Sequence, residues 1–469
     1  MKPIKITRSQ EKLSNRIGLP LIEEIIDKLH LRSEIDRVFP KPGSNRGIWA
    51  SDYVMTLMYM FIDGALHLED VSHLREDKAY QEMIHQMKLP SSDAIGDWLR
   101  RYGSKESEGW MWHVMKPVLS AAVKNDRKDI KAFTAKEIIA DEGNATAAAA
   151  TTGEEASSLD YSEALGGHTL DVDATVIQSE KGDALKTYKG IKGYQPLLGI
   201  ISESGIVTGS DFRQGNVAAQ TGLVEFIEQC LEAYPGIIKA VRSDSASWQK
   251  EIVDYLESRL LFFTITADQT APILEAVGQL PEEEWAKGFD REGIQGGYDI
   301  AETEYDFGAK KRRVRIVVKR YEADSQLDLF TGKYSYWIVA TNLPGDKFSA
   351  QSVIHFHEMR GSMEKRIGEL KHEMCLGHLP CGQFSSNCLY FTIGILAYNM
   401  LQLLKIMGLP KDYRNRSVKS LRYQLLKLAG KLISHGRYLV LQVSAPLKNV
   451  ELFINCYLRL HMSPFALSP

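Results

Sequence analysis

The chain has 469 residues, 44% hydrophobic and 25% charged, which excludes a disordered or fibrous protein and leaves room for two or three domains with substantial cores. Its net charge of −3 averages over a strong asymmetry, because from Lys365 to the end 14 Lys plus Arg face 4 Asp plus Glu, a balance of +10. Such a basic third is either a phosphate-contacting surface or the solvated face of amphipathic helices.

The opening "MKPIKITRSQEKLSNRIGLP" carries charge with no apolar run behind it, so a cytoplasmic protein is expected. Five cysteines, an odd number with no export signal, predict reduced thiols. Residues 1–136 read as a helical N-terminal domain expected to bind DNA. There "SDYVMTLMYMFIDGALHLEDVSHL" has helical apolar spacing, and "LPSSDAIGDWLRRYG" places a Ser/Asp start signal before Ile95, Trp98 and Leu99. Two such helices, the second ending in Arg100 and Arg101, fit either a helix-turn-helix reader of duplex DNA or the packing helices of an all-α domain.

Small and polar residues in "DEGNATAAAATTGEEASS" mark a linker over residues 137–163. The period then changes to that of strands in "HTLDVDATVI", "YQPLLGIIS" and "GIVTGSDF". Helices in "AQTGLVEFIEQCLEAY" and "WQKEIVDYLESR" alternate with strands in "IIKAVRSD" and "LLFFTITAD", which predicts an α/β mixed sheet covered by helices. Residues 164–268 form the first part of this core, 269–351 a β-rich insertion, 352–405 the second part, and 406–469 a basic helical C-terminal region.

Within 352–405, the charge-free stretch from Leu376 to Leu404 is broken by Pro380, Gln383, Asn387, Asn399 and Gln402, so it is expected to be a buried core helix and not a membrane span. His372, Cys375, His378 and Cys381 stand three apart, but steps of three drift around a helix and Pro380 interrupts it, which disfavours zinc. No P-loop or dinucleotide glycine motif is present.

The chemistry lies in the carboxylates. By the two-residue period, Leu170, Val172, Ala174 and Val176 share one strand face, which leaves Asp171 and Asp173 on the other. Two carboxylates side by side on a core strand require a cation. Asp244 ends a second apolar strand, as either a functional carboxylate or the cap of the next helix. In "HEMRGSMEKRIGELK", a straight α-helix with Arg360 at zero puts Glu364 near 40°, Lys371 near 20° and His357 near 60°, at ~100° per residue. That stripe is either an ion-pair face or a site. Paired carboxylates with Arg and Lys nearby suit two-metal phosphoryl transfer, with ions roughly 3.5 to 4 Å apart.

These residues resemble the DDE transposases of bacterial insertion sequences, in the group whose catalytic helix carries Tyr, two residues, Arg, three residues, Glu, six residues, Lys. Arg360, Glu364 and Lys371 match at that spacing, and His357 stands at the Tyr position. "DVDAT" offers Asp173 as the first Asp, with Asp171 in reserve, and "RSDS" offers Asp244 as the second. "LPCGQFSSNCLYFTIGILAYNML" is similar to the segment after the catalytic helix, and the resemblance spans residues 160–405.

The resemblance implies a ribonuclease H-like fold in which Asp173, Asp244 and Glu364 are catalytic and hold Mg²⁺, for which Mn²⁺ may substitute. It implies DNA contacts by Arg360, Lys371 and His357. The lysines after the first strand, Lys189 and Lys192, either grip DNA or solubilise a hairpin, and Trp337 either stacks a base or packs in the core. The implied activity is binding of terminal inverted repeats, end cleavage and joining of 3′ ends to target DNA. The implied assembly is a homodimer on double-stranded DNA, cytoplasmic and nucleoid-associated. The alternatives are an inactive DNA-binding descendant and a nuclease that cuts without joining.

Overall fold

In a computed structural model, the structure describes residues 4, 6–7, 9–44, 46–85, 88–141, 159–307, 312–322, 334–436 and 438–463, and the strands among them are numbered β1–β15 in chain order. Contacts divide the chain into one unit of Met1–Ala122, Ile177–Tyr194 and Gly368–Pro469, and a second of Val123–Val176 and Gln195–Ile367.

The first unit is built on the helix Phe384–Gly408. It has no proline and no charge before Lys405, so it propagates for 25 residues. It is long and apolar enough to cross a membrane, yet its whole apolar window is buried inside the protein. Tyr390 meets Phe61 of the helix Ala50–Asp63 edge-on at 4.9 Å. The helix Ser92–Tyr102 starts where its sequence signal lies, with Ser91 Oγ accepting from the Ala94 N–H. Trp98 of that helix is buried and stacks on Tyr53 at 5.1 Å.

Two expectations change here. The C-terminal region is not wholly helical, because Ala429–His435 (β14) and Tyr438–Ser444 (β15) pair as an antiparallel hairpin. The N-terminal region is not all-α either, because Leu13–Ser14 (β1) adds to that hairpin, with Leu13 opposite Lys431. The hairpin's signal was its alternation around Gly436.

Residues 177–194, expected in the catalytic core, instead form a small sheet of the first unit. Its strands are Ile177–Gln178 (β3), Leu185–Lys186 (β4) and Lys192–Tyr194 (β5), in the order β3-β5-β4. The Tyr194 hydroxyl donates to Asp183 at 2.6 Å and accepts from Asn387 at 3.3 Å. That fastens the hairpin to the start of the long helix.

The second unit holds a nine-stranded mixed sheet. Its strands are His168–Ala174 (β2), Leu197–Ile201 (β6), Val207–Asp211 (β7), Ile238–Ser243 (β8), Phe262–Thr266 (β9), Ala286–Phe289 (β10), Gln295–Phe307 (β11), Arg312–Glu322 (β12) and Tyr334–Thr341 (β13). The order is β10-β11-β12-β13-β9-β8-β2-β6-β7. β2 lies inside the sheet, parallel to β8 and antiparallel to β6.

The β-rich insertion is not a separate body. β13 pairs antiparallel with β9, Val339 opposite Thr266 and Thr341 opposite Thr264, and so covers an edge that would otherwise expose unpaired backbone. Its strands share one core with the helix Ala350–Glu358, including Val317, Val339, Val353 and Phe356. The expected linker begins inside the helix Lys105–Asp141, residues 142–158 lie outside the described residues, and Asp160 caps a short helix Tyr161–Leu165.

Candidate active site

Parallel pairing of β2 with β8 sets Asp171 beside Arg242 and Val172 beside Ser243, so one further step brings Asp173 next to Asp244 at the carboxyl ends of both strands. Carboxyl ends are where open α/β sheets present functional groups. The Asp173 carboxyl is pushed up to about 6, first by burial and further by the charge of Asp244, against the lowering effect of Arg360. Asp244 also accepts from the Ala246 N–H at 3.1 Å, so the cap and the strand-end carboxylate are the same group.

The cations demanded by two adjacent carboxylates are present, one for each. Asp171, 1% exposed, is held bidentately by Arg242 at 2.7 and 2.9 Å, which uses up the reserve candidate. Asp173 is met by Arg360 Nη1 at 3.0 Å, while Arg360 Nη2 lies 3.8 Å from Glu364, whose side chain is 69% exposed. Asp173, Asp244, Arg360 and Glu364 are thus gathered from three separate stretches of the second unit.

The single helical stripe does not survive intact. The helix Ala350–Glu358 ends, Met359 and Arg360 form a turn, the helix Gly361–Gly368 follows, and Glu369–Glu373 is a π turn. Local hydrogen bonds, Arg360 N–H to His357 O at 3.0 Å and Met363 N–H to Arg360 O at 2.8 Å, redirect the backbone so that Arg360 faces Asp173.

His357 is 1% exposed, with its ring nitrogens hydrogen-bonded to the hydroxyls of Thr264 at 2.9 Å and Thr266 at 3.0 Å. Burial, then the charges of Arg242 and Arg360, push it down to about 3, so it is neutral. It braces the helix against β9 and does not present a donor to a phosphate. Trp337 packs 5.4 Å from the His357 ring. Lys371, Lys189 and Lys192 belong to the first unit, where partial burial and the charge of Lys189 lower the Lys371 ammonium.

Arg242 is a further residue of this cluster, one to which the motif pattern gives no role. It binds Asp171 two residues before Asp173, stands two residues before Asp244, and donates to Phe356 O at 2.7 Å and Ser202 Oγ at 2.6 Å. The signal was an arginine directly after the apolar Ala240 and Val241 on a strand that ends in Asp244, where burial requires a counter-charge.

Asp173 and Asp244 offer oxygen donors of the kind a hard divalent ion takes, and the Arg360 guanidinium supplies positive charge at that spot. The pair fits such an ion, and Glu364 lies on the other side of the Arg360 guanidinium, 3.8 Å from its Nη2. Among the described residues no three His, Cys, Asp or Glu side chains are already gathered around a metal position. All five cysteines are free.

A profile of the transposase DDE domain group 1 family matches residues 1–464. The chain belongs to that family. The match runs well beyond the 160–405 stretch that carried the resemblance, into both ends of the chain. Members are DNA-cleaving and DNA-transferring enzymes that generally use a divalent metal, typically magnesium. No curated protein matches. Among solved structures, a piggyBac transposase synaptic complex with hairpin DNA aligns at 10% identity and a TM-score of 0.43, covering 97% of this chain and 83% of that one, a likeness too slight to carry an argument.

Proposed function

We propose that this transposase-family chain binds the terminal inverted repeats of its own element, cleaves the DNA at those ends, and joins the 3′ ends to target DNA. The observation that carries the reading is the pairing of Asp173 with Asp244 at the carboxyl ends of β2 and β8, with Arg360 and Glu364 facing them. Within the second unit's sheet, Asp173 lies near the end of the first strand in chain order and Asp244 follows the fourth, an order that supports reading the sheet as a ribonuclease H-like core.

In this mechanism Asp173, Asp244 and Glu364 hold Mg²⁺, or Mn²⁺ in its place. When bound, the ions neutralise phosphate charge and activate the attacking oxygen. Arg360 exchanges Asp173 for a DNA phosphate, to which its planar fork is suited. Water first cleaves a phosphodiester and leaves a 3′-hydroxyl at the element end. That hydroxyl then attacks a target phosphodiester and displaces the target's own 3′-oxygen. Two ends joined in concert imply a homodimer on double-stranded DNA, acting in the cytoplasm on the nucleoid.

A second reading, an inactive DNA-binding descendant, is favoured by Arg360 standing on Asp173 and by His357 in place of Tyr. The test uses purified protein, Mg²⁺ or Mn²⁺, and the inverted repeats in the DNA flanking the gene. Wild type is expected to cut at the repeat ends and Glu364→Gln to bind without cutting. Cleavage that persists in Glu364→Gln overturns the site, binding without cleavage by either protein selects the inactive reading, and cutting without joins to a supercoiled target selects a nuclease.

A further inference from the structure

The β4–β5 hairpin concentrates positive charge at a cost to itself. Lys186 and Lys192 are direct cross-strand partners, an arrangement in which like charges destabilise the pair. Both are exposed, and among the described residues no carboxylate pairs with Lys186, Lys189 or Lys192. Lys189 Nζ lies over the Tyr188 ring, 5.6 Å from its centroid, and its charge adds to the effect of burial in lowering the Lys371 ammonium.

At the tip, Tyr188 is 75% exposed, with the Lys189 ammonium beside its ring. The tip is nevertheless well formed. The Thr187 N–H donates to Ile191 O at 2.8 Å, the Gly190 N–H to Thr187 O at 2.9 Å, and Gly190 takes φ +77, which a side chain would resist. With the base fixed by Tyr194 and Asp183, an aromatic ring is presented on a rigid stem between ammonium groups.

We infer that the hairpin tip is a contact for unpaired DNA, in which Tyr188 stacks on an exposed base while Lys186, Lys189 and Lys192 hold the adjoining phosphates. A lysine cluster alone fits any polyanion. The projecting ring adds affinity only for a ligand with accessible base faces, and base-on-aromatic stacking with a basic flank is how single strands are held without sequence readout. The inference rests on the transposase reading and names the part of the substrate that this hairpin takes, the single-stranded stretch at an opened end.

The test measures fluorescence anisotropy of the full chain with labelled oligothymidylate and with a blunt duplex of equal length. Tyr188→Ala is expected to weaken oligothymidylate binding about ten-fold, with duplex binding nearly unchanged and Tyr188→Phe close to wild type. Lys186→Ala with Lys192→Ala is expected to weaken both probes and flatten their salt dependence. Because Tyr188 is exposed, an unchanged melting curve is the control for folding. Equal weakening of both probes by Tyr188→Ala, or none, overturns the stacking role and leaves the transposase reading standing. Wild type that binds neither probe overturns both.

Discussion

Asp171 and Asp173 lie two residues apart on one strand face and have opposite electrostatic fates. Asp171 is fully ion-paired in the core, whereas Asp173 sits at the strand end with a shared guanidinium and a second carboxylate beside it. An acid whose folded value is about 6 against 3.8 binds more protons folded than unfolded between those values, so stability falls as pH rises through that window and stays reduced above it. Asp173→Asn is therefore expected to stabilise the metal-free, DNA-free protein by about 2 kcal/mol at neutral pH and to change little near pH ~4, read from melting curves at both. His357 has the reverse sign, because a base lowered to about 3 takes up protons on unfolding and costs stability as pH falls below its ordinary value of 6.5. Denaturant titrations across that range should show a shallower acid loss for His357→Gln. Arg360 competes for Asp173 with any cation, so Arg360→Gln should bind Mn²⁺ several-fold tighter without DNA by calorimetry. Affinity no tighter than wild type would show that the guanidinium does not hold the position.

At the scale of elements, the site depends on Arg242, which joins β8, β2 and the end of the helix Ala350–Glu358. Arg242→Met leaves Asp171 buried and unpaired and should cost about 3–5 kcal/mol, whereas adding Asp171→Leu should recover much of that loss. Denaturant unfolding of the single and double variants measures the difference. On the opposite flank of β2, the helix Leu223–Ala233 lies close over Gly199 and Gly209, where an added Cβ would come within 2.6 Å of Cys230 Sγ at either position. Gly209→Val should force that helix off the sheet and cost roughly 1–3 kcal/mol. Strand alternation and capping signals made most of these elements legible. The break at Met359–Arg360 and the π turn were not, because apolar spacing does not record where a helix changes its hydrogen-bond step.

For the whole molecule, the division into two units follows neither the chain order nor the expected boundaries. The N-terminal 122 residues share a unit with the C-terminal hairpin and with the helix Phe384–Gly408, so the fragment 1–122 is expected not to fold alone, seen as a collapsed amide spectrum in solution. By itself the sequence determined the mixed sheet and the buried long helix, and it singled out Asp173, Asp244 and Glu364 as candidates, because period, strand ends and motif spacing are local properties. Only the tertiary structure decided that β13 continues the nine-stranded sheet, that residues 177–194 lie outside it, that Arg242 neutralises Asp171, and that His357 is sealed between two threonines. Each of these depends on which distant segment supplies the missing hydrogen bond or counter-charge, and a linear pattern carries the demand for such a partner without naming it.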